Sequence, residues 1–231
     1  MCGRFVQASA PTLLVEHFDV DEVLSGVTIE PHYNVAPRMD VSVVRDRDQV
    51  RSLSQLRWGL VPPWADSPAI GDRMINARAE SVDETAAFKG AFERRRCLIP
   101  VDGFYEWQAG SAKKVPMYIH AVDHAPMAFA GLWESWRAAP EADPLLTCTV
   151  ITTTANTTMR PVHDRMPVVL DPADWDEWLD RDARDTGALV RLLRPAPDDL
   201  LTFHPVSTRV NSARNDDATL LIREDPLTLF P

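Results

Sequence analysis

An α+β fold with mostly antiparallel sheets is predicted by three observations. Strand-like runs outnumber helical patterns across the 231 residues. Several of those runs follow one another through short turns with no intervening helix, which favours antiparallel pairing over a doubly wound parallel sheet. No Ser/Gly-rich linker, low-complexity tract or repeat period divides the chain, so residues 1–231 suit a single domain, and the 19 prolines punctuate strands and turns rather than marking a hinge.

Taken in order, "APTLLVEHFDV" places Leu13, Leu14, His17 and Phe18 at helical spacing. The runs "VSVVR" and "LSQLRWGLV" read as strands. A helix is expected over "SVDETAAFKGAFERRR", with Ser81 and Glu84 as a capping box and Phe88 and Phe92 one turn apart. "RCLIPVDGFYEW", "PMYIHAV", "PMAFAGLW", "LLTCTVITT" and "RMPVVL" are further strand-like runs, some joined by turn segments such as "QAGSAKK" and "DHA". "DPADWDEWLD" starts a third helix, with Asp171 as N-cap, Pro172 at the first helical position, and Trp175, Trp178 and Leu179 on one face directed to the core. "LTFHPV" is the last strand-like run.

The opening residues lack a basic stretch followed by an apolar one, and no apolar run approaches the roughly 18 residues that span a bilayer, so the expectation is a cytoplasmic protein. Three cysteines without CxxC spacing suggest neither a disulfide framework nor a zinc ribbon, and Cys97 and Cys148 lie in apolar runs as small hydrophobes. GxGxxG, P-loop, GxSxG and HExxH patterns are absent. The six histidines form no metal set, and His120 and His124 read as solvated or satisfied imidazoles. A net charge of −10 argues against a nucleic-acid partner, but its distribution softens the objection. Residues 1–100 carry 12 basic and 14 acidic groups, whereas residues 141–231 carry 9 and 16.

Five places carry chemistry-bearing residues. In "MCGRF", removal of Met1 leaves Cys2 with a free α-amine beside its thiol, a 1,2-aminothiol. "HDRMP" sets His163 beside Asp164 and Arg165, where a histidine can move protons near neutral pH or serve structure alone. "DGFYEWQ" holds Glu106 between Tyr105 and Trp107. Directed inward it is a proton-exchanging acid in low polarity, and directed outward it is a surface charge. "INARAES" places Asn76, Arg78 and Glu80 on one face if extended, suited to an anion or to a polar edge. "WGLVPPWA" puts Trp58 and Trp64 around two prolines, an aromatic shelf for base stacking or for packing.

Together and in this order, "MCGRF", "YNVAP", "WGLVPPW", "INARAES", "RCLIPVDGFYEW" and "HDRMP" resemble the SRAP family, the SOS-response-associated peptidase-like proteins that process abasic sites in DNA. The resemblance runs from Cys2 to about Asn211. It implies a barrel-like core of mostly antiparallel sheet with flanking helices. It also implies that Cys2 reacts with the ring-opened aldehyde of an abasic deoxyribose in single-stranded DNA, near junctions with duplex. The α-amine, with a reference pKa of about 7.7–8.0, forms a Schiff base, and the thiol then closes a thiazolidine. By position, Glu106 shuttles protons at the Cys2 amine and imine, and His163 acts as acid on the sugar ring oxygen. Asn76 positions Cys2 or the sugar. Arg4 and Arg78 bind phosphate, Asn34 and Pro37 form a loop near the pocket, and Thr152 lines it. Arg73 and Arg165 complete a local basic groove in which Trp64 stacks. Family members often have two adjacent tryptophans where Trp64 is here followed by Ala65, so one stacking surface is absent.

A strand-incising lyase activity is compatible with the Schiff base. Two other readings stay open: an N-terminal-nucleophile cysteine peptidase that removes its own Met1, and a non-catalytic nucleic-acid-binding module. No cofactor or metal is called for, and the chain reads as a monomer, nucleoid-associated when bound to DNA.

Overall fold

The computed structural model describes residues 2–109, 114–183 and 185–224. Part of the turn expected over 108–114, and the end of the expected 1–231 domain, therefore lie outside the described residues. In chain order the strands are β1 (Phe5–Gln7), β2 (Glu22–Val23), β3 (His32–Val35), β4 (Asp40–Arg47), β5 (Val50–Trp58), β6 (Asn76–Arg78) and β7 (Arg96–Val101). They continue as β8 (Gly103–Gln108), β9 (Val115–Ala121), β10 (Met127–Trp136), β11 (Leu145–Thr154), β12 (Arg165–Pro167), β13 (Val169–Leu170) and β14 (Leu201–Pro205). The α-helices are α1 (Pro11–His17), α2 (Lys89–Arg94), α3 (Trp175–Leu179) and α4 (Thr186–Leu192).

Strands β10, β7, β4 and β5 follow β11 in hydrogen-bonded order, and a parallel pairing of β11 with β5 closes them into a five-strand ring. Most other pairings are antiparallel, as the short turns predict. Side-chain alternation sorts the ring's two faces. Val41, Val43, Leu56, Trp58, Cys97, Ile99, Cys148 and Val150 share one apolar cluster. Val44, Leu53, Leu98, Leu132 and Ile151 join the other, against Phe88 and Phe92 of the α2 segment and Trp175, Trp178 and Leu179 of α3. Cys97 and Cys148 are buried free thiols.

The second sheet has the order β14-β9-β8-β1-β3. It packs on the ring through Phe5, whose ring centroid lies 4.7 Å from that of Trp58, and Phe104, 5.6 Å from Phe129. Phe5 and Phe104 are fully buried, each contributing about 2 kcal/mol of apolar transfer, and this fixes the amino-terminal strand on the core.

Three expectations need correction. The run "RCLIPVDGFYEW" is not one strand, because the chain leaves the ring at Asp102 and enters the second sheet at Gly103. The Asp102 carboxylate accepts the amide N–H groups of Ala8 and Ser9, and this anchors the crossing. A Cβ at Gly103 would overlap the Tyr118 ring and the Ile119 carbonyl. Gly103→Ala is therefore expected to cost about 3 kcal/mol in a urea unfolding curve, with an unchanged midpoint as the contrary result. The helix expected over "SVDETAAFKGAFERRR" shrinks to α2, which has no side-chain cap. Instead of the Ser81–Glu84 box, the Ser81 carbonyl accepts bonds from Glu84 N, Thr85 N and the Thr85 hydroxyl, and these wind the segment into turns. "LSQLRWGLV" ends as a strand at Trp58, because Gly59 takes φ +125° where its backbone meets that of Gly71.

The third helix starts as expected, with Asp171 accepting Ala173 N–H, although its first turn is 3₁₀. Helix α4, capped by Asp185, was not foreseen. His120 is buried, with Nδ1 2.8 Å from the Ala121 carbonyl and its ring stacked on His124 at 4.5 Å. Among the described residues no helix is long and apolar enough to cross a membrane.

Candidate active site at the amino terminus

Strand β1 lies between β3 and β8, with Phe5 opposite Phe104 and Val6 opposite Gly103. Tyr105 N–H donates to the Arg4 carbonyl at 3.0 Å. The regular strand begins at Phe5, and ahead of it Cys2 turns into the same apolar cluster as Phe5 and Phe104, close enough for the Glu106 charge to act on its thiol. Cys2 has no exposed surface. Burial pushes its thiol pKa well above the ordinary range, and the nearby Glu106 charge pushes it further; the amino-terminal charge and a backbone hydrogen bond to Arg4 oppose the shift only in part.

Glu106 itself is buried, which decides between the two orientations open in the sequence: it faces inward. Asn76 reaches the same place from β6, which runs parallel to β11 with Asn76 opposite Val150. Its Nδ2 donates to the Cys2 carbonyl at 2.8 Å. Its Oδ1 is buried without a hydrogen-bond partner among the described residues.

His163 sits in the loop between β11 and β12, its N–H bonded to the Met159 carbonyl. Two partners compete for its Nδ1. The Arg165 N–H at 3.0 Å requires an unprotonated nitrogen, and the Asp164 carboxylate at 2.8 Å a protonated one. His163 lines an open cleft of about 600 Å³ with Arg78, Glu80, Ser81, Asp164 and Arg165. Cys2, Glu106 and Asn76 do not line that cleft, but Met159 and Val162 of the His163 loop share the apolar cluster of Cys2. Gln108 ties the two regions together, its Nε2 donating to the Pro161 carbonyl at 2.9 Å. The sequence reading missed Gln108. Its signal was the two-residue step from Glu106 along β8, which puts both on one face.

The other expected ligands are distributed differently. Arg165 is consumed by Glu80, at 2.5 and 3.0 Å, and by the Thr152 carbonyl at 2.7 Å. That hydrogen bonding holds the Glu80 carboxyl below its usual range. Thr152 is fully buried, its hydroxyl donating to the Ala77 carbonyl at 3.3 Å, so it does not line the cleft. Asn34 belongs to strand β3 and not to a loop, and is fully buried, while Pro37 is half-buried in the turn before β4. Arg4 donates to Asn34 Oδ1 and to the carbonyls of Val210 and Asn211. Arg73 and Arg78 are exposed and carry no ion pair among the described residues. Trp58 is buried with its indole N–H on the Ile75 carbonyl, whereas Trp64 is 58% exposed and lies outside the His163 cleft.

Comparisons with known proteins agree with this architecture. Residues 1–213 match the family model described as SOS response associated peptidase (SRAP). The abasic site processing protein YoqW of Bacillus subtilis is 42% identical over 222 residues, which is 96% of this chain and 99% of that protein. The abasic site processing protein HMCES of Xenopus tropicalis is 32% identical over 217 residues, 81% of this chain and 64% of that longer protein. A crystal structure of a protein from Bacteroides thetaiotaomicron shares the fold, with a TM-score of 0.86 at 22% identity over 96% of this chain and 100% of that one. A match over nearly the whole described chain, at this identity and with this fold, means that the chain belongs to the SRAP family.

Proposed function

We propose that this chain processes abasic sites in single-stranded DNA by forming a covalent thiazolidine through Cys2 once Met1 is removed. The observation that carries the reading is the Asn76 amide bonded to the Cys2 carbonyl, with the buried Glu106 carboxylate acting on the Cys2 thiol. The relatives named for abasic site processing support the lesion as target.

In this reading His163, with Nδ1–H directed to the Asp164 carboxylate, presents Nε2–H as the acid that protonates the sugar ring oxygen and opens the lesion to its aldehyde. The Cys2 amine attacks the aldehyde carbon and water leaves, giving an imine. The sulfur then adds to the imine carbon, and the thiol proton passes through the Glu106 carboxylate to the imine nitrogen. A thiol held protonated by burial needs such a base within reach, and Glu106 is the buried carboxylate beside it. Asn76 fixes the Cys2 carbonyl, and its unbonded Oδ1 is an acceptor available to the new amine. The imine also acidifies the neighbouring sugar carbon, the basis for strand incision.

A denaturing gel with an abasic single-stranded oligonucleotide tests the proposal. The expected result is an adduct that survives denaturation, is absent with an intact oligonucleotide, and is absent from protein retaining Met1. Full adduct from Met1-retaining protein would overturn it. Non-covalent affinity rests on Arg73 and Arg78, because Arg165 is neutralised by Glu80. Replacing both with alanine is expected to weaken binding at every sequence and to flatten the salt dependence by about 0.7 per arginine. Fluorescence anisotropy over a salt series reads this directly, and an unchanged slope would remove both from the interface.

A further inference from the structure

We propose that Arg4, Asn34 and Asp216 form a clamp that positions the amino-terminal strand for reaction, with Arg4 a positioning residue and not a phosphate ligand; the inference rests on the covalent reading above. Chain termini are loosely held unless something ties them down. Here the tie is a loop far away in sequence. The Arg4 Nη1 donates to Asn34 Oδ1 at 2.9 Å and to the Val210 carbonyl at 3.0 Å, and Nη2 reaches the Asn211 carbonyl at 3.3 Å. Asn34, fully buried, spends its Nδ2 on the carbonyls of Val210, Ser212 and Asn215, at 3.2, 3.0 and 2.8 Å.

Asp216 closes the loop onto β3. Its Oδ1 accepts the N–H groups of Tyr33 and Asn34, and its Oδ2 lies 2.7 Å from His32 Nδ1. The same loop holds the other half of the chemistry, because Trp107 Nε1 donates to Asn211 Oδ1 at 2.7 Å. Residues 210–216 thus grip Arg4, two positions from Cys2, and Trp107, one position from Glu106. Asp216 lies beyond the residues 1–213 matched by the family model. Holding a nucleophile and its base in register is worth large factors in rate, and an error of about 1 Å costs on the order of a hundredfold.

The test compares Arg4→Lys, Asp216→Asn, Asn211→Ala and Arg78→Ala with two aldehydes: abasic single-stranded DNA, and glycolaldehyde, which has no phosphate. Intact mass follows the gain of one aldehyde less one water. Arg4→Lys and Asp216→Asn are expected to slow both reactions by roughly ten- to a hundredfold. Asn211→Ala, at an exposed position, slows both by a smaller factor and serves where the other variants melt below the assay temperature. In all three the glycolaldehyde rate regains the steep rise with pH of free cysteine, because Glu106 no longer relays the proton. Arg78→Ala slows only the DNA reaction.

If Arg4→Lys slows the DNA reaction alone, Arg4 is a phosphate ligand and the clamp is overturned. Wild-type rates and pH profiles in Asp216→Asn and Asn211→Ala overturn it equally. Wild-type reaction with glycolaldehyde but none with abasic DNA would defeat the covalent DNA reading and leave the clamp standing.

Discussion

Cys2→Ser lowers the denaturation-stable adduct with abasic single-stranded DNA to background, although the variant keeps the α-amine and can still form an imine. The imine is the hydrolysable half of the linkage. Ring closure needs a nucleophile on the carbon adjacent to the amine, and a hydroxyl is a far poorer one than sulfur. The thiol is itself held protonated by burial, so closure also depends on its neighbour. Glu106→Gln keeps the shape of the side chain and removes the base, and is expected to slow adduct formation by about a hundredfold. The pair distinguishes the roles: Cys2→Ser loses yield, whereas Glu106→Gln loses rate and approaches wild-type yield at long times. Denaturing gels over a time course read both. A full-yield, heat-stable adduct from Cys2→Ala would remove Cys2 from the chemistry.

Raising the pH from 7 to 10 removes a large part of the folding stability. Cys97 and Cys148 are fully buried, and burial lifts both thiols well above their ordinary range; Arg45 opposes the shift at Cys97, while Cys97 and Asp40 add to it at Cys148. Burial likewise lifts the phenols of Tyr105 and Tyr118. The sign follows from linkage. Each group keeps its proton in the folded chain and loses it in the unfolded chain once the pH passes the unfolded value, about 8.5 for a thiol. The contribution is therefore whole below that pH and declines above it. At pH 10 each thiol forfeits about 2 kcal/mol, and two of them remove a sizeable share of the 5–15 kcal/mol typical of a domain. Urea midpoints at pH 7, 8.5 and 10 check the trend, and Cys148→Ala flattens it. A midpoint that holds through pH 10 would mean that these thiols are solvated.

Much of this molecule was legible in the linear chain. Alternation in "RCLIPV" sorts Cys97 and Ile99 to one face of the ring and Leu98 to the other, and Asp171 caps the turn its neighbours predicted. Period and capping are short-range physics, settled within a few residues. Cys2, Asn76 and Glu106 stand in motifs that resemble the SRAP family, but taken singly "INARAES" and "DGFYEWQ" left a polar edge and a surface charge equally open, and only the fold brings the three together. Other features were hidden. The break at Asp102 depends on Ala8 and Ser9 finding its carboxylate, and the long helix expected from Ser81 gave way to turns on the Ser81 carbonyl.

The cations show the division most clearly. Arg4, Arg78 and Arg165 look alike in sequence, each a cation suited to phosphate. Only the closed fold brings Glu80 to Arg165 across 85 positions, and the Val210 and Asn211 carbonyls to Arg4 across more than 200, while leaving Arg78 exposed. Local pattern determined which strand faces are apolar and where a short cap falls. Tertiary structure alone decided which charges remain free, because a long polar side chain takes whichever partner the folded backbone carries within about 3 Å of it.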